Sequence, residues 1–328
     1  MKSFSVIKVL FFAILVGLIS QLDCDILLYL MPDPKTGESP FLNKTIWIVG
    51  ASSGIGSQLA IDLCKQGANL ILSGRRESRL LEVVDSCKKI ENLQNIPTIQ
   101  VLDVTSNDMI DDVYNNIIND FAKIDILVLN AGQSQRNVAM ETSIEDTQSL
   151  FNTNFFSFVK LATTVIPSMS KGSQVVVTSS VSGRIGTPGG SSYSATKFAL
   201  QGYFDAVRSE VSSNGIDILT VLPGPVESEI STKAKRGKNI PEGEEGKKMA
   251  TKRCTQLMVR AMSYPKYFDE IWVSSNPVLA TLNLYHYFPF IGRQLFKNLV
   301  GPKRIETMRT GGNVFDAGSL FGLKSGKK

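Results

Sequence analysis

The chain has 328 residues, of which 43% are hydrophobic and 20% charged, a length that holds one α/β unit of about 250 residues with room to spare. That composition, with no low-complexity tract, excludes a disordered protein. The net charge of +5 is modest and concentrated in residues 233–253 and the terminal Lys327-Lys328, which argues against a general nucleic-acid surface.

From Phe4 to Leu22 the only charge is Lys8. The uncharged run Val9–Leu22 is short for a spanning helix and suits a signal-peptide core, but Lys8 can snorkel and lengthen the span. Small residues for a cleavage site are hard to find between Gly17 and Cys24, and a second apolar patch, Ile26–Met31, follows. These features favour an uncleaved membrane anchor over residues 1–31, outside the fold, on the endoplasmic reticulum or another endomembrane. A cleaved signal peptide, and secretion, is the alternative. Residues 32–40 (PDPKTGESP) form a linker, and the folded unit, 41–276, starts after it.

Strand Thr45–Val49 leads into helix Ser57–Gln66, strand Asn69–Ser73 into helix Ser78–Ile90, and strand Thr98–Leu102 into helix Asp108–Ala122. Strand Ile124–Leu129 precedes a long helix, Ile144–Ser170; strand Gln174–Thr178, helix Tyr193–Ser212 and strand Asp217–Leu222 complete the pattern. Short apolar strands without strict alternation are buried on both faces, and their alternation with helices predicts a doubly wound parallel sheet, an α/β single domain. After Pro225 the period is lost: residues 229–253 mix Lys, Arg, Glu and Gly and are expected as a mobile insertion. Residues 277–328 form an apolar, aromatic extension with a basic tail. Its stretch 277–300 is suited to closing a substrate pocket, packing on the domain or lying on a membrane.

The first strand runs into Gly50-Ala51-Ser52-Ser53-Gly54-Ile55-Gly56 and then a helix. Glycines there let the backbone approach a pyrophosphate, which the helix amino terminus favours electrostatically. After the second strand stands Gly74-Arg75-Arg76. An acidic residue in the Gly74 slot would hold the ribose 2′-hydroxyl of NAD, whereas Arg75 suits the 2′-phosphate of NADP; NADP(H) is expected ahead of NAD(H). Tyr193 and Lys197, four apart on a helix, share one face. A nearby ammonium, with a positive nicotinamide ring, would favour the phenolate over a phenol of reference pKa about 10. Ser180 follows the strand Gln174–Thr178 at the carboxyl end of the sheet, where ligands of such folds bind.

Rival chemistries are thin. Cys24, Cys64, Cys87 and Cys254 are scattered without a CxxC pair, as buried free thiols would be. The single histidine, His286, sits among Leu284, Tyr285, Tyr287 and Phe288 and is expected in packing. Neither a metal site nor a Ser-His-Asp hydrolase is therefore expected.

Together these landmarks resemble the classical short-chain dehydrogenase/reductases over residues 44–228. They are Gly50-x-x-x-Gly54-x-Gly56, Asp103-Val104, Asn130-Ala131-Gly132, Asn154, Ser180, Tyr193-x-x-x-Lys197 and Pro223-Gly224-Pro225-Val226. The resemblance implies a Rossmann fold, with Tyr193 as general acid/base and Ser180 orienting the substrate oxygen. Lys197 would hold the nicotinamide ribose, and Asn154 would anchor a water relay to the lysine. Asp103 and Val104 would meet the adenine, Asn130 to Gly132 line the cofactor, and Pro223, Gly224, Val226 and Ser228 touch its nicotinamide end. The family's usual threonines are Val49 before the glycine loop and Ser228 after the Pro-Gly motif; only the first change loses a hydroxyl. Gly132-Gln133-Ser134-Gln135-Arg136, Lys252-Arg253-Cys254, Glu270-Ile271-Trp272-Val273-Ser274 and Pro302-Lys303-Arg304-Ile305-Glu306 are similar to the member 7 subgroup. That similarity implies a membrane-associated amino terminus and a lipophilic ketone, aldehyde or alcohol, such as a retinoid or steroid, as substrate. The family also implies a homodimer or homotetramer. A catalytically silent nucleotide-binding scaffold and an extended-branch epimerase or dehydratase are the alternatives, and the intact Asn154, Ser180, Tyr193 and Lys197 count against the first.

Overall fold

In the computed structural model the described residues are 22–34, 39–230, 232–238, 240–241 and 248–312. Among them, seven strands form one wholly parallel sheet in the order β3-β2-β1-β4-β6-β7-β9. They are β1 (Thr45–Val49), β2 (Asn69–Gly74), β3 (Thr98–Val101), β4 (Ile126–Leu129), β6 (Gln174–Thr178), β7 (Asp217–Pro223) and β9 (Glu270–Val273). Two short strands, β5 (Gln135–Arg136) and β8 (Lys235–Arg236), pair separately.

Successive residues of a strand face opposite ways, and β1 shows the consequence. Ile46 and Ile48 enter one core with Leu59, Leu80 and Leu257 of helices Gly54–Cys64, Glu77–Lys88 and Thr251–Met262. Trp47 and Val49 enter the other with Ile110, Leu161 and Phe204 of helices Asn107–Phe121, Ser157–Val165 and Ser191–Val211. Helices therefore cover both faces, as a doubly wound sheet requires. The strand order reverses between β1 and β4, which opens a crevice beyond their carboxyl ends.

Several expectations need correction. The helix foreseen over 144–170 is two α-helices, Ile144–Phe151 and Ser157–Val165, joined by a π-turn, Asn152–Phe156, and closed by a short turn, Ile166–Ser168. A π-turn inserts an extra residue into the helical ladder, and here it buries Asn154 completely. The region foreseen as an insertion leads into a regular helix, Thr251–Met262, whose buried face includes Cys254, Leu257, Met258 and Ala261; Lys252 and Arg253 obscure its apolar period. β9 was not foreseen: Ile271, Trp272 and Val273 favour a strand, but a run this short does not stand out from its surroundings. The helix after β1 begins at Gly54, within the glycine loop itself, rather than at Ser57.

Residues 22–31, assigned to an anchor outside the fold, are part of it. Cys24 bridges Val273 in antiparallel fashion. Ser274 N donates to Asp23 O at 2.9 Å, and Trp272 N donates to Asp25 Oδ2 at 2.7 Å. Asp23 pairs with Arg253 and Asp33 with Arg260, and Cys24 and Leu28 are buried. The segment covers the edge of β9, whose N–H groups would otherwise be open to another chain. The rest of the expected anchor, residues 1–21, and the basic tail from 313 lie outside the described residues. Among the described residues no helix is long and apolar enough to cross a membrane. The carboxy-terminal extension forms helices Val278–Tyr287, Pro289–Leu295 and Gly301–Arg309. Of its three expected roles, packing on the domain is visible, since Leu279 and Leu282 are buried with Leu222 of β7 and Trp272 of β9; Val278, Leu282, Phe296 and Val300 also line the cavity beyond the sheet.

Candidate active site

The glycine loop is shaped by close approaches that no side chain permits. Gly50 has φ +93°, and a Cβ there would lie 2.5 Å from Ala131 N; one on Gly56 would lie 2.2 Å from Gly50 O. Asn130 Nδ2 donates to Gly50 O at 3.0 Å, tying the loop to the end of β4. At the amino terminus of helix Gly54–Cys64, Ser53 makes no side-chain capping bond. The first N–H groups of that helix therefore suit an anion. The loop fits a dinucleotide pyrophosphate.

Beyond β2, Arg75 is exposed and lines the cavity. It also acts on Asp103: burial raises that carboxyl's pKa, but hydrogen bonds from Thr105 and the Arg75 charge outweigh it and hold the pKa below the usual range. Arg76 was not singled out from the sequence, yet it makes more contacts. Its Nη2 donates to Ser53 Oγ at 3.0 Å and Ser52 Oγ at 3.3 Å, and its Nη1 to Glu229 Oε2 at 3.1 Å. Glu229 also accepts from Lys233. Arg76 thus links the glycine loop to the segment after β7; the only signal in the sequence was its place beside Arg75.

Ser180 stands just past β6, where its Oγ accepts from Ser182 N at 3.1 Å and donates to Pro223 O at 3.4 Å. Helix Ser191–Val211 brings Tyr193 and Lys197 to the same place. Burial pushes the Tyr193 phenol up, opposed by a hydrogen bond with Ser180. Lys197 Nζ donates to Thr178 O at 3.0 Å and lies 5.8 Å from the centre of the Tyr193 ring. Burial draws its pKa down to about 7. The phenol expected to be lowered is thus raised here, because its own burial outweighs the hydrogen bond with Ser180. A protonated phenol is the state that can give a proton to a carbonyl oxygen.

Asn154 stands behind this wall. Its Oδ1 accepts from Gln133 N at 2.8 Å, while its Nδ2 donates to Gln133 O at 2.9 Å and Thr196 Oγ1 at 3.2 Å. Gln135, another residue without an assigned role, accepts at Oε1 from Ser192 N (2.9 Å) and Tyr193 N (3.1 Å). A cavity of about 590 Å³ runs along all these groups. Gly50, Ser52, Ser53, Gly54, Ile55, Arg75, Asp103, Val104 and Asn130 to Gly132 line it, as do Ser180, Tyr193, Lys197, Pro223, Gly224, Val226 and Ser228. Gly56 and Asn154 support the wall without lining it. His286 packs edge-on against Trp272 and Tyr287, away from the cavity lining.

A family model described as short chain dehydrogenase matches residues 44–239. The chain is 35% identical over 277 residues to dehydrogenase/reductase SDR family member 7 of Homo sapiens, covering 82% of this chain and 81% of that one. It is 35% identical over 254 residues to the hydroxysteroid 11-beta-dehydrogenase 1-like protein of Gallus gallus, covering 74% and 86%. Among solved structures, a short-chain dehydrogenase/reductase from Burkholderia phymatum in complex with NAD superposes with a TM-score of 0.65 at 20% identity, covering 76% of this chain and 95% of that one.

Proposed function

The chain belongs to the short-chain dehydrogenase family, oxidoreductases acting on CH–OH groups with NAD(P), and on that premise we propose that it interconverts a lipophilic carbonyl compound and its alcohol, using NADP(H) in preference to NAD(H). The observation that carries this reading is the meeting of Tyr193, Ser180 and Lys197 in the cavity that begins at the glycine loop. The apolar lining by Val278, Leu282, Phe296 and Val300 supports a lipophilic substrate, and the name of the Gallus gallus relative supports a steroid-like one.

The loop Gly50–Gly56 and the helix beyond it hold the pyrophosphate, Asp103 and Val104 meet the adenine, and Arg75 with Arg76 receives the 2′-phosphate. When bound, the nicotinamide supplies the hydride to the carbonyl carbon, or takes it from the alcohol. Tyr193 gives its phenolic proton to the carbonyl oxygen in reduction and recovers one from the hydroxyl in oxidation. Ser180 holds that oxygen beside the phenol. Lys197 engages the nicotinamide ribose, and Asn154, tied to Gln133 and Thr196, anchors the water relay that returns a proton. A positioned acid of this kind is worth about 10²–10⁴ in rate.

The test offers the purified chain NADPH or NADH with a panel of lipophilic ketones and aldehydes. Turnover should fall about 10³-fold in Tyr193→Phe, while cofactor binding persists. Arg75→Ala and Arg76→Ala should weaken NADPH far more than NADH. Cofactor binding without any turnover by the wild type would establish the silent scaffold instead, and undiminished activity in Tyr193→Phe would remove the mechanism.

A further inference from the structure

Arg76, which ties the glycine loop to the segment after β7, is engaged on both of its terminal nitrogens. Nη2 donates to Ser53 Oγ at 3.0 Å and Ser52 Oγ at 3.3 Å, and Nη1 donates to Glu229 Oε2 at 3.1 Å. All four residues line the cavity, beside the glycine loop. The carboxylate that meets Arg76 comes from the segment after β7 and not from β2. At the end of β2 stands Gly74, where a Cβ would already lie 3.3 Å from both Cβ and Oγ of Ser52.

Glu229 stands on a packed base. A Cβ on Gly54 would lie 2.9 Å from Ser228 Cβ, and Glu227 N donates to Met249 O at 3.0 Å. The Glu229 carboxylate also accepts from Lys233, and Arg79 Nη2 lies 3.9 Å from its Oε1. Hydrogen bonds from Lys233 and Arg76 hold its pKa below the usual glutamate value, so it is ionised at neutral pH. A guanidinium offers its outer nitrogens as a planar fork to a carboxylate or a phosphate. One side of the Arg76 fork is given to Glu229. A phosphate that takes the whole fork must displace that carboxylate and bear its like-charge repulsion. An uncharged ribose 2′-hydroxyl meets neither cost.

We propose that Glu229 is a specificity-determining residue that competes with the 2′-phosphate of NADP(H) for Arg76, and so restrains the preference for NADP(H) over NAD(H) that the arginines create. The inference rests on the reading of Arg76 as a receiver of the 2′-phosphate and adds the residue that opposes it.

The experiment measures calorimetric binding of 2′,5′-ADP and 5′-AMP, which differ by that phosphate alone, to the full chain, Glu229→Gln, Arg76→Ala and the double variant. Glu229→Gln should tighten 2′,5′-ADP about two- to fivefold, the range of an exposed ion pair, and leave 5′-AMP unchanged. In the Arg76→Ala background the same substitution should bring no gain, because the contest is for Arg76. Binding of 5′-AMP is the control for folding, since a misfolded variant loses both ligands together. Weaker or unchanged binding of 2′,5′-ADP by Glu229→Gln would overturn the proposal, as would a gain shared equally by 5′-AMP. A gain of the same size in the Arg76→Ala background would overturn it too, by showing repulsion through space without competition. If Arg76→Ala weakens both ligands equally, the 2′-phosphate reading of Arg76 falls and takes this inference with it. A loss confined to 2′,5′-ADP keeps that reading, whatever Glu229 does.

Discussion

Lys197 is 3% exposed, and its ammonium must give up most of its hydration on folding. The ordinary lysine value of 10.5 falls to about 7 for that reason alone. Between these two values the unfolded chain holds a proton that the folded chain has released, so stability rises with pH across that window. Below it the folded chain carries the buried charge and bears the full penalty. The slope is about 1.4 kcal/mol per pH unit for one proton. Urea unfolding of the cofactor-free chain should therefore show a larger gain from pH 7 to about 9.5 in the wild type than in Lys197→Met. Equal gains in the two would show that Lys197 keeps its charge. The spacing of Tyr193 and Lys197 was legible because it is a local property of a helix. The opposing pull of burial on each was not, since it depends on Phe158, whose ring centre lies 5.7 Å from the ammonium, and on the walls around them.

Helix Ser191–Val211 has Gly190 at its N-cap and no side-chain cap from that residue. The free N–H groups of a first turn need partners, and two of them find Gln135 Oε1. Gln135 is held in turn by Thr142, to which its Nε2 donates at 2.7 Å. A strand residue thus fixes the turn from which Tyr193 projects. Gln135→Ala should cost about 1–2 kcal/mol of stability. Because a misplacement of about 1 Å can cost 10²-fold in rate, kcat should drop by more than KM rises. Gln135→Glu, which keeps the acceptor, should recover most of kcat. Steady-state kinetics on the three forms settles the point, and a change confined to KM would leave Gln135 as a lining residue only. The alternation of strands and helices was readable from the apolar pattern. The π-turn at Asn152–Phe156 was not, because an extra residue in the ladder leaves the sequence period nearly intact while moving Asn154 inward.

The fold closes on itself at β9. Asp23, Cys24 and Asp25 occupy the open side of that strand, and Leu28 enters the core shared with helix Thr251–Met262. Removing the Leu28 side chain should leave a cavity and cost about 2–5 kcal/mol, so Leu28→Ala should unfold at markedly lower denaturant than the wild type. An unchanged midpoint would show that the segment packs loosely and contributes little. The sequence alone determined what short-range physics controls. It placed the glycines at Gly50 and Gly56, whose close contacts leave no space for a Cβ, the strands buried on both faces, and the Tyr193–Lys197 register on one helix. Tertiary structure alone decided which distant residues meet: Arg76 with Glu229, Gln135 with Tyr193, and Asp23 with Arg253. Such pairs leave no periodic trace, because neither partner's neighbours along the chain shape the contact. They exist only once the sheet has set the distances between loops.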